Sequence, residues 1–345
     1  MGQNITKLYT VSLCESSNMS KNDFRSIQEA IDAADPGSTI ILSHGDHYGF
    51  NNDPIYLKSS IKFIGLQGAR IMSAVIGEVT DVVFENIIFK NKDNNSLEFR
   101  NGKGYLFKNC EFHINIGKYD DKKIRFGFHL MGGSAILQNP IFCIDVNDID
   151  VFVAIGADNG SKYLCLQSPI IRVQYNNVNK LETFFFHGNK DSNENIPYFE
   201  AFSSSIHYKN QFIYDGHCCL TKRKQCFIKH CNKEICSCKR SHSCCDKYCK
   251  IISSSVRLFR GLNHINISIN NTKVYFIDGN GSFNIADADS PIYINALTAS
   301  SNLPSNWEIG DFHNLLLTSF QSNLKYANEI DECHYVDEHK KEEII

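Results

Sequence analysis

Nine of the chain's 14 cysteines fall between Cys218 and Cys249, interleaved with imidazoles and lysines. The order is His217, Cys218, Cys219, Cys226, His230, Cys231, Cys236, Cys238, His242, Cys244, Cys245 and Cys249. Nine thiols and three imidazoles could supply up to three tetrahedral zinc sites, and thiolate ligation suits a reducing compartment. A bound cation would also help hold the thiols ionised. No Cys-x-x-Cys knuckle occurs, which sets the spacing apart from standard zinc fingers. A disulfide-stapled loop, with one cysteine left over, is the competing reading, and a floppy thiol-rich loop is the third. Gly216 to Lys250 carries nine Lys/Arg against Glu234 and Asp246, in a chain whose formal net charge is -3. That excess over residues 222–250 suits a weak contact with polyanions, either nucleic acid or anionic lipid.

The other chemistry-bearing groups are sparser. Met1-Gly2-Gln3-Asn4-Ile5-Thr6 fits the N-myristoylation pattern, with Gly2 acylated once Met1 is removed. One acyl chain holds a membrane only marginally, so membrane contact through Gly2 needs a second anchor. Carboxylates cluster at Asp120-Asp121 and at Asp145, Asp148 and Asp150, and the basic groups Arg172 and His187 follow later in the chain. Paired carboxylates with a base could do acid–base work. Each of these groups reads more simply as part of a solvated loop or strand edge, and no catalytic set emerges.

What must position these groups is a chain with 42% apolar and 21% charged residues, enough to bury a sizeable core. Those proportions exclude a collagen-like or coiled-coil rod and a strongly basic nucleic-acid binder. Phe24, Ile27, Ala30, Ile31 and Ala34 recur at helical spacing, with Asp23 placed to cap the helix. Asp35-Pro36-Gly37 ends it, and Thr39-Ile40-Ile41-Leu42 reads as a strand.

Further on, Phe84-Glu85-Asn86-Ile87-Ile88-Phe89 is echoed by Phe107-Lys108-Asn109-Cys110-Glu111-Phe112 and Leu137-Gln138-Asn139-Pro140-Ile141-Phe142. Leu166-Gln167-Ser168-Pro169-Ile170-Ile171 follows more loosely. Stacked coils of a solenoid explain the recurrence, with the variable excess in loops. Asn86, Asn109, Asn139 and Ser168 then form a turn ladder at one corner, where Asn tolerates left-handed backbone. Alternation places Ile87, Cys110, Pro140, Pro169, Phe89, Phe112, Phe142 and Ile171 inward, and Lys90, His113, Cys143 and Arg172 outward. The repeat blurs from Asn176 to Gln211 and resumes at Val256 and at Leu262–Ile269.

The run Phe24–Leu42 resembles the N-terminal cap of right-handed parallel β-helix proteins, the pectin lyase-like superfamily. Gly45-Asp46-His47-Tyr48 and Pro54–Gly65 are similar to that family's first turn and first full coil. The resemblance covers about Asp23 to Ile71. It implies an all-β fold: a single-stranded right-handed parallel β-helix with an N-terminal capping helix, interrupted here by the Cys-rich insertion. The expected organisation is an N-terminal arm (1–22), a β-helix (23–303) interrupted at 215–250, and a helical and acidic tail (304–345) with a helix near Asn314–Ala327. His187-Gly188 resembles the His-Gly pair of polygalacturonase-like hydrolases, but the accompanying Arg-x-Lys and Asn-x-Asp elements are absent.

Met1–Leu13 lacks an apolar h-region, so the expectation is an intracellular protein, not one secreted through a signal peptide. Asn, Ile and Lys, all with A/T-rich codons, are abundant. Together with the Gly2 motif, this composition resembles a virion component of a large DNA virus, located in host cytoplasm and virion. The function expected is a non-catalytic β-helical scaffold that binds protein assembly partners. The alternative is a carbohydrate-active enzyme, lyase or hydrolase, working on the outer face of the helix.

Overall fold

The computed structural model of the protein describes residues 7–12, 21–49, 54–77, 79–91, 96–117, 124–147, 149, 151–176, 181–189, 198–211, 254–262, 266–278, 281–288, 292–301, 307–309, 316–317 and 320–322. Gly2, Asp120, Asp121, Asp148, Asp150 and every residue of the cysteine segment from His217 to Cys249 lie outside this set.

The helix comes early and is short, Ile27–Ala33. Its cap is Ser26, whose hydroxyl accepts from the backbone N–H of Gln28 and Glu29 at 3.2 and 3.4 Å. Asp23, expected as the cap, instead begins a two-residue strand, Asp23–Phe24, because Ser26 stands directly before the first helical residue. Ile27, Ala30 and Ile31 are buried, and Phe24 and Ala34 pack partly against the same core. Gly37 follows with φ +82°, a conformation that favours a residue without Cβ. Leu8–Val11, within the expected N-terminal arm, is a strand: it pairs in parallel with Ser38–Leu42 and buries Val11 completely.

Every other regular element among the described residues is a strand, 26 strands in one continuous sheet whose pairings are all parallel. Registers line up equivalent residues from coil to coil in three columns. The first runs Ile40, Phe63, Phe84, Phe107, Leu137, Leu166, Ala201, Ile269, Ile294 and Leu317. The second passes through Ile71, Phe89, Phe112, Phe142, Ile171, Ile206, Val274 and Ala299. In the third, Val75, Phe99, Leu130, Ala157, Gly188 and Gly261 follow one another. Parallel strands in one sheet need long crossovers, and here each crossover is itself the next strands of the coil. This all-β solenoid is compatible with a parallel β-helix.

The interior is an aromatic stack. Phe63, Phe84 and Phe107 lie nearly parallel, with centroids 5.0 and 5.2 Å apart. Phe89, Phe112 and Phe142 repeat the arrangement at 5.3 and 4.7 Å in the second column. Each such pair adds about 0.5–1.5 kcal/mol beyond area burial. Parallel coils impose this geometry, since identical positions recur at the interstrand spacing of about 4.8 Å.

Between the first and second columns the chain turns on one left-handed residue per coil. Asn86, Asn109, Asn139 and Ser168 have φ of 56°, 50°, 51° and 53°. Ser203 and Asn271, at 54° and 48°, extend the same series. The N–H of Asn109, Asn139, Ser168 and Ser203 each donates to the carbonyl before the next corner: Gln138, Gln167, Phe202 and Asn270 at 2.8–2.9 Å. Asn139 Nδ2 also donates to Asn109 Oδ1 at 3.1 Å. A second ladder stands at the far end of the second column, where Asn147 Nδ2 donates to Asn115 Oδ1 at 3.0 Å and Asn115 N–H to Asn91 Oδ1 at 2.7 Å.

Two sequence expectations need correction. The repeat does not blur before Gln211: Tyr198–Phe202 and Ser205–Gln211 hold the register of the preceding coil. Nor are the described residues of the expected C-terminal helix helical. Leu316–Leu317 and Phe320–Ser322 are strands paired with Ile292–Ser301, and Trp307–Ile309 pairs with Gly281–Phe283, so the sheet runs beyond residue 303. An Leu-rich stretch satisfies a helical period and a buried strand equally well, and the edge offered by the previous coil decides between them.

Leu181–Asn189 pairs directly with Ser254–Leu262, although residues 190–253 intervene between them in sequence.

The ladder makes a direct prediction. Asn139→Val places a β-branched side chain at φ 51° and should cost about 1–2 kcal/mol, whereas Asn139→Gly should stay within about 0.5 kcal/mol of wild type. Urea unfolding of the two variants measures the difference. A second test is Gly133→Ala: the added Cβ would lie 1.7 Å from the Gly102 carbonyl oxygen at φ +86°, and the variant should lose several kcal/mol or fail to accumulate.

Candidate functional site

Outward positions of the third column carry the densest set of titratable groups among the described residues. Register places Glu98, His129, Gly156, His187 and Arg260 side by side on successive coils. Earlier in the same strands, Phe126, Val153, Phe184 and Arg257 form a parallel row. These rows lie on the opposite side of the strands from Phe152, Val256 and Phe283 of the core, yet Val153 and Phe184 are 0% and 1% exposed.

Gly156 explains the packing. A Cβ there would meet the Phe126 ring at 2.4 Å, so glycine leaves the space that this ring fills. From that position Phe126 stacks flat on the His129 imidazole, centroids 4.2 Å apart and planes 7° from parallel, and stands 5.5 Å from the His187 ring. His129 Nε2 is 2.7 Å from Asp158 Oδ1, with side chains only 9% and 14% exposed. Ser161 fixes the base of this pair: its hydroxyl accepts from the Gly132 N–H at 3.1 Å and lies 2.7 Å from the Asp158 carbonyl. On the following coils Arg257 pairs with Glu182, and the Arg257 and Arg260 guanidinium groups lie 5.5 and 5.4 Å from the Phe184 centroid.

His187 is the unusual member. It is 4% exposed and its Nδ1 has no hydrogen-bond partner. Burial, then the adjacent Arg260 charge, pushes its pKa down to about 4. The imidazole is therefore neutral at pH 7.

A second, more open group stands on the outer face of the second column. His113, Cys143, Arg172 and His207 are in register on four coils. His113 Nε2 bonds Glu111 Oε2 at 2.9 Å, and that bond, assisted by the Arg172 charge, lowers the Glu111 carboxyl below its ordinary range. His207 stacks on Tyr275 at 5.0 Å.

The described acid–base candidates, Asp145, Arg172 and His187, do not assemble into one site. Asp145 and Arg172 are on the second column, Asp145 opposite Asn115 and Gln174, whereas His187 is on the third. Lone counts of carboxylates and bases miss this, because placement depends on which strand of each coil they occupy. Sequence reasoning missed His129, Asp158 and Arg260. The one signal that could have found them is a glycine, Gly156, inside a strand of apolar residues, which marks a close approach by another group. Among the described residues no cluster of three or more His, Cys, Asp or Glu is arranged to hold a metal ion. No described helix is long and apolar enough to cross a membrane. Comparison with protein-family models, curated proteins and solved structures returns no match.

Chemically, the His129–Asp158 pair has the form of an oriented base, but Phe126 covers the imidazole face. The arrangement fastens three coils together. Asp158→Asn should weaken the charge-assisted bond and cost about 1–3 kcal/mol, and His129→Gln in the same background should add less than it does alone. A double-mutant cycle on urea midpoints measures this coupling, and additive costs would show that the pair does not act as a unit.

Proposed function

We propose that the chain is a non-catalytic, right-handed parallel β-helix of the pectin lyase-like kind that serves as a scaffold for protein assembly partners. One observation carries the reading: outward charges are used between coils. Asp46 pairs with Arg70 directly opposite it, and Lys62 with Glu85 at 2.7 Å on the next coil. His129 pairs with Asp158, Glu182 with Arg257, and Tyr163 donates to Glu200 at 2.6 Å. Side chains paired this way brace successive coils against one another. The helix Ile27–Ala33 lies against the first strands, where it serves as the N-terminal cap that closes one end of the core.

In this reading residues 215–250 are a basic, Cys-rich insertion at one corner. The direct pairing of the strands on either side supports it, and the donor chemistry of nine thiols and three imidazoles fits zinc. Its charge suits a docking arm for polyanionic surfaces, Gly2 acylation adds a membrane contact, and the composition favours a virion component of a large DNA virus. Metal analysis of protein purified under reducing conditions should find about two or three zinc per chain; finding none leaves disulfides or a loop without metal.

The enzyme alternative draws on the His129–Asp158 pair. The full chain, incubated with polyuronates and neutral polysaccharides across pH 4–9, should release neither reducing ends nor unsaturated products. Release that disappears in Asp158→Asn would replace the scaffold reading with a carbohydrate-active one.

A further inference from the structure

We propose that His187 is an acid-sensitive latch, which holds the coil Leu181–Asn189 against its neighbours while neutral and loosens the outer face on protonation. The ring is enclosed on both sides by neighbouring coils. On one side is the strand Arg125–Gln138, with His129 and the Phe126 ring at 5.5 Å; between them the strand Val151–Gln167 contributes Gly156 and Asp158. On the other side is Ser254–Leu262, with Arg257 and Arg260. The ring's own strand contributes Glu182, and Asp287 stands beside Arg260 in register, one coil further away.

Of the carboxylates, Asp158 acts on the ring but is committed to His129 at 2.7 Å, and Glu182, further along the ring's own strand, is committed to Arg257. The other charged or titratable groups that act on the ring are the Arg260 guanidinium and the His129 imidazole. A proton added to His187 therefore enters a buried position already short of negative charge, and the Nδ1 that would carry it has no acceptor. Desolvation and like charge act in the same direction.

The sign follows from linkage. The folded imidazole titrates at about 4 against an ordinary value of 6.5. Below about pH 6.5 an opened coil takes up a proton that the closed coil refuses, so closure weakens progressively down to about pH 4 and no further. Between pH 7 and 5 the open population should rise about 20-fold on these values. Opening would uncover Val153 and Phe184, outward apolar side chains buried at neutral pH beside the partly exposed Phe126. The device thus couples acidity to exposure of a sticky face at one defined level of the rod.

The test uses the full chain. Hydrogen exchange, corrected for intrinsic rates, is measured at pH 7 and pH 5 for wild type and His187→Gln, which keeps a neutral polar side chain that cannot be protonated. Wild type should lose about 20-fold protection in Leu181–Asn189 and Ser254–Leu262, the variant less than about three-fold, and Ile61–Gly65 and Leu97–Lys108 should be unchanged in both. Equal losses in the two proteins, or a uniform loss along the rod, would overturn the latch. Should the variant not fold, a histidine-resolved NMR titration of the wild type decides: His187 neutral at pH 5.5 supports the latch, and titration near 6.5 refutes it.

Discussion

In-register parallel stacking is the constraint on which the rest of the structure depends. Once coils hydrogen-bond to one another at about 4.8 Å, each position meets its own equivalent above and below, and every column must tolerate its own repetition. Phenylalanine meets this condition by stacking, as Phe63, Phe84 and Phe107 do. Left-handed corners meet it with Asn or Ser, whose N–H groups reach the carbonyl before the next corner. Like charges directly in register carry a cost, which opposite charges in neighbouring coils avoid. Asp46 against Arg70 and Lys62 against Glu85 follow that rule.

The same constraint accounts for the site on the third column. Three basic residues, His129, His187 and Arg260, share one outward row, and a repeated positive charge there would push the coils apart. Gly156 interrupts the row and admits the Phe126 ring, Asp158 answers His129, and His187 stays neutral. Neutrality at His187 is thus a condition for stacking at that level, and acidity acts on the fold through it. Leu181–Asn189 stays in register with Ser254–Leu262 although residues 190–253 intervene in sequence, and closure entropy grows only slowly with the length of chain between two paired strands.

How much could be read from the chain follows from where stacking leaves a repeated mark. Asn86, Asn109 and Asn139 stand in near-identical hexapeptides, so the corner, the inward phenylalanines and the coil length were legible there. Ser203 and Asn271 occupy the same corner but in Phe202-Ser203-Ser204-Ser205-Ile206 and Asn270-Asn271-Thr272-Lys273-Val274, where only the spacing to the next apolar residue survives. The helix was legible from its apolar period, its cap was not, because Asp23 and Ser26 are both good caps and only the start of the strand Asp23–Phe24 separates them. The strands at Leu316–Leu317 and Phe320–Ser322 are fixed by the coil before them, a partner that local sequence does not contain. For the same reason His129 and Asp158, 29 positions apart, carried no mutual signal.

Engineered disulfides give the most direct measurement of that stacking. Leu106 and Ile136 face each other in register on the outer side of adjacent coils, within the Cα separation a disulfide accepts, about 4.4–6.8 Å. In a Cys165→Ser background, because Cys165 stands in register with Ile136 on the next coil, a Leu106→Cys/Ile136→Cys double variant should form that cross-link under mild oxidation, identified by peptide mapping, with unfolding resistance raised. Leu106→Cys/Gln138→Cys, displaced by two residues along the strand, should remain largely reduced. Equal cross-linking of both pairs, or cross-linking of the displaced pair alone, would contradict the register and with it the account of ladder, core and site.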